Sequence, residues 1–471
     1  SFIPYKKPAY KFRRKFHVFR TSSKNHPMTR KFYDIHYHLF DLSHPNLLAF
    51  ILRDDMITRE SVKKIVRRLP FLLNFLPVGA VNLFPGKIAG MIRDYITSDA
   101  HKVRNLLSLM ENAIEYHFLL ADYYLMKERI FENHGHSPAF NKMVICPLLI
   151  DFGYKNLQNS GCFYDLPPAK PVAGQVADVL NAIRFYYNYD IIGHPVKNGQ
   201  LKLVKTSLKK EEKLFEIYPF LGINTCNYDL LEIKALIDKY FPGYENDHTP
   251  EERYRKLFNK LGTVEVRLED LIFRNKEKKD PEYYSYIFAG IKLYPPLGFD
   301  PWPENNPAEL DKVRFLLSEC VRKKIPVTIH SGDGGFKTTS KADFVTDPEK
   351  WVKILSISSF KDLRINFAHM GNQSDGITKW LNTIMDLVQK RSNVFTDFSC
   401  LTPEAKDYES IGRIINEKNE SRILFGSDFV INLLWSATYN EYISNFLETP
   451  YMSSIQKEKV CSRNPEKFLF G

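Results

Sequence analysis

Several signatures are missing from this 471-residue chain. Its six cysteines, Cys146, Cys162, Cys226, Cys320, Cys400 and Cys461, form no CxxC pair. Scattered in this way they make neither a disulfide framework nor a zinc finger, and a reducing, intracellular, cytoplasmic setting is expected. No GxSxG nucleophile elbow occurs. The Gly-rich stretch HSGDGGFKTTSKADF at 330–344 lacks the GxxxxGKS or GxxxxGKT spacing of a P-loop, so it reads as a substrate loop or lid. Internal repeats and low-complexity runs are absent too, which excludes a repeat array.

Acidic residues are lacking from residues 1–31, which carry ten Lys or Arg. The rest of the chain holds 56 basic and 55 acidic residues, so the net charge of +11 belongs to this N-terminal arm. An arm of this kind could meet nucleic acid or an anionic surface; the expected role is a solvated leader or a strap over the domain. It has no apolar core of the kind a secretory signal needs. Leu69–Gly86 is a stretch of 18 residues without charge, long enough on its own to span a membrane. Pro70, Pro77 and Pro85 cut it into short pieces, and Asn74 and Asn82 would be unsatisfied in lipid, so a buried or lid-like insertion is expected and no membrane span.

What is present is a series of eight short β-rich runs, at 32–40, 143–152, 218–224, 288–295, 326–332, 364–371, 393–399 and 422–429. Several are apolar nearly throughout, as parallel strands covered on both faces must be. Between them, 309–324, 375–391 and 410–419 show helical spacing. Eight strands in β–α order predict an α/β fold, a (β/α)8 TIM barrel with helical insertions between the first strands; a doubly wound open sheet is the alternative. The expected organisation is the arm 1–31, then one domain over 32–471 with insertions at about 41–140 and 155–215.

His36 and His38 lie in YDIHYHLFD, two residues apart on the first strand. Alternation along a strand turns both the same way, with Asp34 on the same face, so both imidazoles can reach one ion at ~2.0–2.1 Å. Lys292, His330, His369, Asp397 and Asp428 follow at or near successive strand ends, with gaps of 38, 39, 28 and 31 residues. In a barrel these ends share one mouth, and such residues are costly as inert core. A second HxH pair, His134 and His136 in ENHGHSP, falls in a Gly-Pro loop and reads as a turn, and His194 as a loop residue. Tyr294 and Trp302 are candidates to line the pocket.

The segments DIHYH, GIKLYPP, IPVTIHSG, FAHMG, FGSDF and NPEKFLF, in order from residue 33 to 470, resemble the amidohydrolase superfamily of metal-dependent hydrolases, in its amidohydrolase-related branch. That branch holds hydrolases and the aminocarboxymuconate-semialdehyde decarboxylase type. The sequence departs from it after strand three, where the branch often has Pro-Arg and this chain has Asn224–Asn227, so a substrate anchor is missing there. The resemblance implies a divalent metal, with zinc expected, and a metal site drawn from His36, His38, His330, His369 and Asp428. One ion is favoured, held by His36, His38, His330 and Asp428. It would lower the pKa of a bound water toward ~7, with Asp428 taking its proton and His369 polarising the substrate or donating to the leaving group. If Lys292 is carboxylated it would bridge two ions, with His330 and His369 on the second; otherwise its ammonium pairs with an acidic substrate.

The function expected on this basis is hydrolysis of a small carboxylic amide, ester or lactone by a metal-activated water. Non-oxidative decarboxylation of an unsaturated or aromatic acid is the first alternative. A metal-bearing binding module, its basic arm engaging nucleic acid or a partner, is the second. The expected partner is a small acidic molecule rather than nucleic acid, and homo-oligomerisation is open.

Overall fold

The computed structural model describes residues 30–39, 109, 114–131, 139–152, 172–193, 200–265, 282–337, 339–402 and 404–471. The arm up to residue 29, the apolar stretch Leu69–Gly86, most of the first insertion, part of the second, and His134, His136 and His194 lie outside these residues.

The chain enters on β1 (Lys31–Tyr37), passes α1 (His117–Lys127) and returns on β2 (Lys142–Pro147). It then forms α2 (Val172–Asn188) and an antiparallel ribbon of β3 (Tyr189–Gly193) and β4 (Leu201–Lys205). The insertion at 155–215 is therefore not purely helical, as the sequence suggested. The third barrel strand is split into β5 (Phe215–Ile217) and β6 (Phe220–Gly222). It starts three residues before the expected 218, and it breaks at Pro219, which has no N–H to give a ladder.

After α3 (Leu230–Tyr240) and α4 (Pro250–Lys260), strand and helix alternate with little interruption. The order is β7 (Gly290–Leu293), α5 (Pro307–Arg322), β8 (Val327–His330), α6 (Ala342–Thr346), α7 (Glu349–Ser356), β9 (Ile365–Ala368), α8 (Lys379–Lys390), β10 (Val394–Asp397), α9 (Ala405–Ile414) and β11 (Ile423–Leu424). Then come α10 (Tyr439–Glu448), α11 (Ser454–Glu458) and α12 (Asn464–Phe470). All eight expected strands form, each shorter than its sequence run.

Two expected helices shift. The one expected over 375–391 begins only at Lys379, because Gly376 takes a left-handed φ of 70° that ends a preceding turn. The one expected over 410–419 lies over Ala405–Ile414. The Asn419 side chain accepts from Asn416 N at 2.8 Å, a local bond that competes with continuing the helix.

The strands pair in parallel as β1-β2-β5 and β6-β7-β8-β9-β10-β11. Leu148 bridges to Phe220, joining one sheet to the other. At the opposite seam, Ile35 N donates to Phe425 O at 3.3 Å and Asp428 N to His36 O at 2.7 Å. The arrangement is the expected α/β barrel. Its helices present one apolar stripe inward. In α5, Asn306 caps the first turn by accepting from Glu309 N, Pro307 opens it, and Val313, Leu316, Leu317 and Cys320 are buried at helical spacing. Each fully buried Leu on such a stripe contributes roughly 2 kcal/mol.

The inside of the barrel is filled from below. Tyr33, Ile35, Val144, Cys146, Phe220, Phe395 and Leu424 pack together, with Phe468, Leu469 and Phe470 of α12 closing the base. Gly290 is required here, since a Cβ would lie 2.3 Å from the Phe220 ring.

One irregularity positions the histidines. Asp34 pairs with Ile145 but Tyr37 with Pro147, so β1 holds one extra residue between them, a β-bulge. Before it, Tyr33 and Ile35 point into the barrel. Phe32 and Asp34 point outward, Phe32 against Phe446 of α10 and Asp34 to Tyr439. After it the parity reverses: Tyr37 faces Phe118 and Tyr439 outside, and His36 and His38 face in. The expectation that Asp34 shares their face is therefore wrong, because simple alternation does not survive the bulge.

Candidate metal centre

At the mouth, three donor atoms converge. His36 Nε2 and His38 Nε2 are 3.3 Å apart, and Asp428 Oδ1 lies 3.3 Å from the first and 3.1 Å from the second. All three residues are buried. A second group, His36, His369 and Asp397, adjoins it. His330 enters through His369, its Nδ1 3.2 Å from His369 Nε2. The rings of His38, His36, His369 and His330 thus form an arc, with successive centroids 5.1, 4.6 and 4.8 Å apart. His36, His38 and Asp428 thus form one cluster, and His369 and His330 continue from it along the arc.

Outer hydrogen bonds decide which nitrogens are bare. His38 Nδ1 is 3.0 Å from Leu148 O, and a carbonyl only accepts, so Nδ1 carries the proton and Nε2 a lone pair. His330 Nε2 is likewise 3.1 Å from Gly332 O, which leaves Nδ1 bare. Asp428 Oδ1 is buried and, despite its two nitrogen neighbours, accepts no hydrogen bond of proper geometry. A pocket of this composition, imidazole nitrogens facing a carboxylate, fits a divalent cation.

Charge states agree at all of the histidines but one. Burial drives His330 well below the ordinary value, with His369 and Lys292 adding to it. Burial also lowers His369 to about 4 and lowers His38 against the pull of Asp428. His36 moves the other way. Burial and Lys292 would lower it, but Asp397 and Asp428 prevail. Burial would raise Asp428, yet His36 and His38 hold it well below the carboxylate range.

The backbone is strained around the site. His369, Met370, Cys400 and Asp428 all have left-handed φ, between 51° and 63°, each costing about 1 kcal/mol or more. Gly426 leaves room for β1, since a Cβ there would lie 2.6 Å from His36 Cβ. Asp34, turned outward by the bulge, clamps the segment after β11 that carries Asp428. It accepts from Ser427 N at 2.9 Å, Ser427 Oγ at 2.5 Å and Tyr439 Oη at 2.8 Å.

Lys292 is 1% exposed, and its Nζ has no hydrogen-bond partner among the described residues. Burial lowers it to about 8, with Asp397 and Asp428 pulling it back up. Asp397 lies behind the histidines and accepts from Asn366 Nδ2 at 2.7 Å and His369 N at 3.1 Å. Tyr294 stacks beside His330, centroids 4.6 Å apart, and its Oη accepts from Phe336 N at 3.0 Å, tying in the loop after β8. Trp302 packs instead on Phe360 and under Arg314, away from the histidines. Asn224–Asn227, where Pro-Arg was missing, forms a turn held by Asp151, which accepts from Asn224 N and Asn227 Nδ2, each at 3.0 Å. Sequence reasoning missed Ser399, whose Oγ touches His36 Nδ1 and His369 Nδ1. The signal was present: Ser399 stands two residues after Asp397 at a strand end, and alternation places both at the mouth.

Among known proteins, the sequence model of the amidohydrolase family matches residues 285–471. No curated protein matches the chain. A probable 2-pyrone-4,6-dicarboxylic acid hydrolase from Acinetobacter baumannii with citric acid bound is similar at 13% identity and a TM-score of 0.39, over 75% of this chain and 88% of that one. A 2,6-dihydroxybenzoate decarboxylase complexed with 2,6-dihydroxybenzoate is similar at 12% identity and a TM-score of 0.36, over 94% and 99%. An uncharacterised TIM-barrel protein from Bordetella bronchiseptica is similar at 14% identity and 0.32, over 69% and 98%.

Proposed function

We propose, from the match of residues 285–471 to the amidohydrolase family, that the chain is a member of the amidohydrolase superfamily and hydrolyses a small carboxylate-bearing amide, ester or lactone with zinc as its metal. The carrying observation is the buried trio His36 Nε2, His38 Nε2 and Asp428 Oδ1, mutually within 3.3 Å. His36, His38, His330 and Asp428 would hold the ion, which when bound supplies Lewis acidity and lowers the pKa of a water.

The chain's own residues do the rest. Asp428, ionised by its histidine neighbours, takes the proton of the attacking water. His369, neutral at pH 7, lies beside His36 and His330, where its pocket-facing nitrogen can take up a proton and pass it to the leaving group. Lys292 offers a buried amine without a hydrogen-bond partner among the described residues, and a substrate carboxylate is the group that would satisfy it. Tyr294 and the loop after β8 close one side against water.

Metal content per chain, measured on protein purified without chelators, tests the first half of this reading. About one equivalent supports the four-ligand site with Lys292 free; about two indicates a carboxylated Lys292 bridging a pair. No metal, even after zinc is added, removes it. A panel of lactones, esters and amides with and without a second carboxylate tests the other half. Preference for the acid forms that Lys292→Met abolishes is expected. Release of CO2 in place of a hydrolysis product would reassign the chain as a decarboxylase.

A further inference from the structure

Ser399 is buried between two imidazoles. Its Oγ is 3.0 Å from His36 Nδ1, 2.8 Å from His369 Nδ1 and 2.5 Å from Asp397 Oδ1. A hydroxyl has one proton and two lone pairs. An ionised carboxylate only accepts, so the proton of Ser399 goes to Asp397. Asp397 cannot turn away: Oδ1 also accepts from His369 N and Ser399 N at 3.1 Å each, and Oδ2 from Asn366 Nδ2 at 2.7 Å. The two lone pairs of Ser399 Oγ then face two ring nitrogens, and each nitrogen must bring its own proton.

We propose that Ser399 is a positioning residue that sets the tautomers of His36 and His369 together, fixing a proton on Nδ1 of each ring and leaving Nε2 of each toward the pocket. One hydroxyl thereby ties a metal-facing ring to the ring assigned to the substrate. The two rings do not depend on it equally. His36 Nδ1 has a second acceptor, Asp397 Oδ2, at 3.3 Å. Beyond the hydroxyl, His369 Nδ1 has, among the described residues, only the Ser399 carbonyl at 3.5 Å, too long for a good bond. On the other side of the ring His330 Nδ1, bare and 3.2 Å from His369 Nε2, can accept from that nitrogen instead, so loss of the hydroxyl releases His369 and spares His36. The importance of His36 Nε2 for metal rests on the function proposed above, whereas the tautomers themselves do not.

Imidazole nitrogen NMR on the metal-free full-length protein, at mildly alkaline pH, reads which nitrogen of each ring is protonated. The wild type should show Nδ1–H for both His36 and His369. Ser399→Ala should turn His369 into a mixture of tautomers and leave His36 unchanged, and Ser399→Thr, which keeps a hydroxyl, should restore the wild-type pattern. A wild-type His369 protonated on Nε2, or one still wholly Nδ1–H in Ser399→Ala, overturns the proposal. A zinc titration of the same samples separates the two readings. Wild-type protein that binds no zinc ends the metal assignment while the tautomer result stands. Zinc binding with tautomers indifferent to Ser399 ends the clamp alone.

Discussion

The two ends of the barrel treat buried charge in opposite ways. At the base, Lys31 opens β1 and meets Glu216 at 2.9 Å and Tyr254 Oη at 2.7 Å, while Tyr218 Oη donates to Glu216 at 2.9 Å. The Lys31 ammonium also lies 4.0 Å from the centre of the Tyr254 ring. At the mouth, the Lys292 amine and Asp428 Oδ1 are buried without hydrogen bonds among the described residues, and four non-glycine residues hold left-handed φ. The same residue types thus form a closed, satisfied network at one end and an open one at the other. A paired buried charge holds the fold together; an unpaired one costs stability and marks a place prepared for something not in the chain.

The sharpest way to break this comparison is through the mouth carboxylate. Asp428→Asn should lower turnover by roughly 10²–10⁴-fold with little change in melting temperature, and His38→Ala should remove bound metal as well as activity. Near-normal turnover or full metal content would mean the mouth is as structural as the base.

Next in size is a matched pair of substitutions. Lys31→Met should destabilise by about 3 kcal/mol, because it leaves Glu216 buried without its cation. Lys292→Met should raise stability, because it removes an amine that nothing satisfies, while KM for an acidic substrate climbs. Denaturant unfolding of both variants decides it, and the same sign for both would erase the distinction between the ends.

The pH dependence of stability gives a smaller test. Lys292 sits at about 8 in the fold against an ordinary 10.5. Between those values the unfolded chain holds the extra proton, so stability of the metal-free protein should rise with pH across this window, by on the order of 3 kcal/mol in full. Lys292→Met should lack that slope; an equal slope in both proteins would assign it elsewhere. The smallest effect is expected from deleting residues 1–27, which should leave turnover, metal content and melting temperature unchanged. A large loss would bring the basic arm into the comparison as a third region.

Much of this was legible in the residues. The run IPVTIHSG places His330 at a strand end because an apolar β-rich run simply stops there, and FAHMG does the same for His369. The ribbon of β3 and β4 was not legible: its burial is partial, so no clean alternation marks it, and it follows a helix without a break. Trp302 was misplaced because a loop residue beside a site carries no periodicity to say which way it points.

The sequence by itself determined the order of eight strands, the spacing of one βα unit between functional residues, and the donor types gathered at one end, because these depend on periodicity and on parallel strands sharing a direction. Only the tertiary structure decided that a bulge in β1 separates Asp34 from His36 and His38, that the Lys292 amine finds no hydrogen bond among the described residues, and that Ser399 lies between two rings. Each of these rests on contacts between segments far apart in the chain: Asp34 with Ser427 and Tyr439, and Ser399 with His36. Local pattern cannot supply such contacts, since a single inserted residue reverses every side chain that follows it.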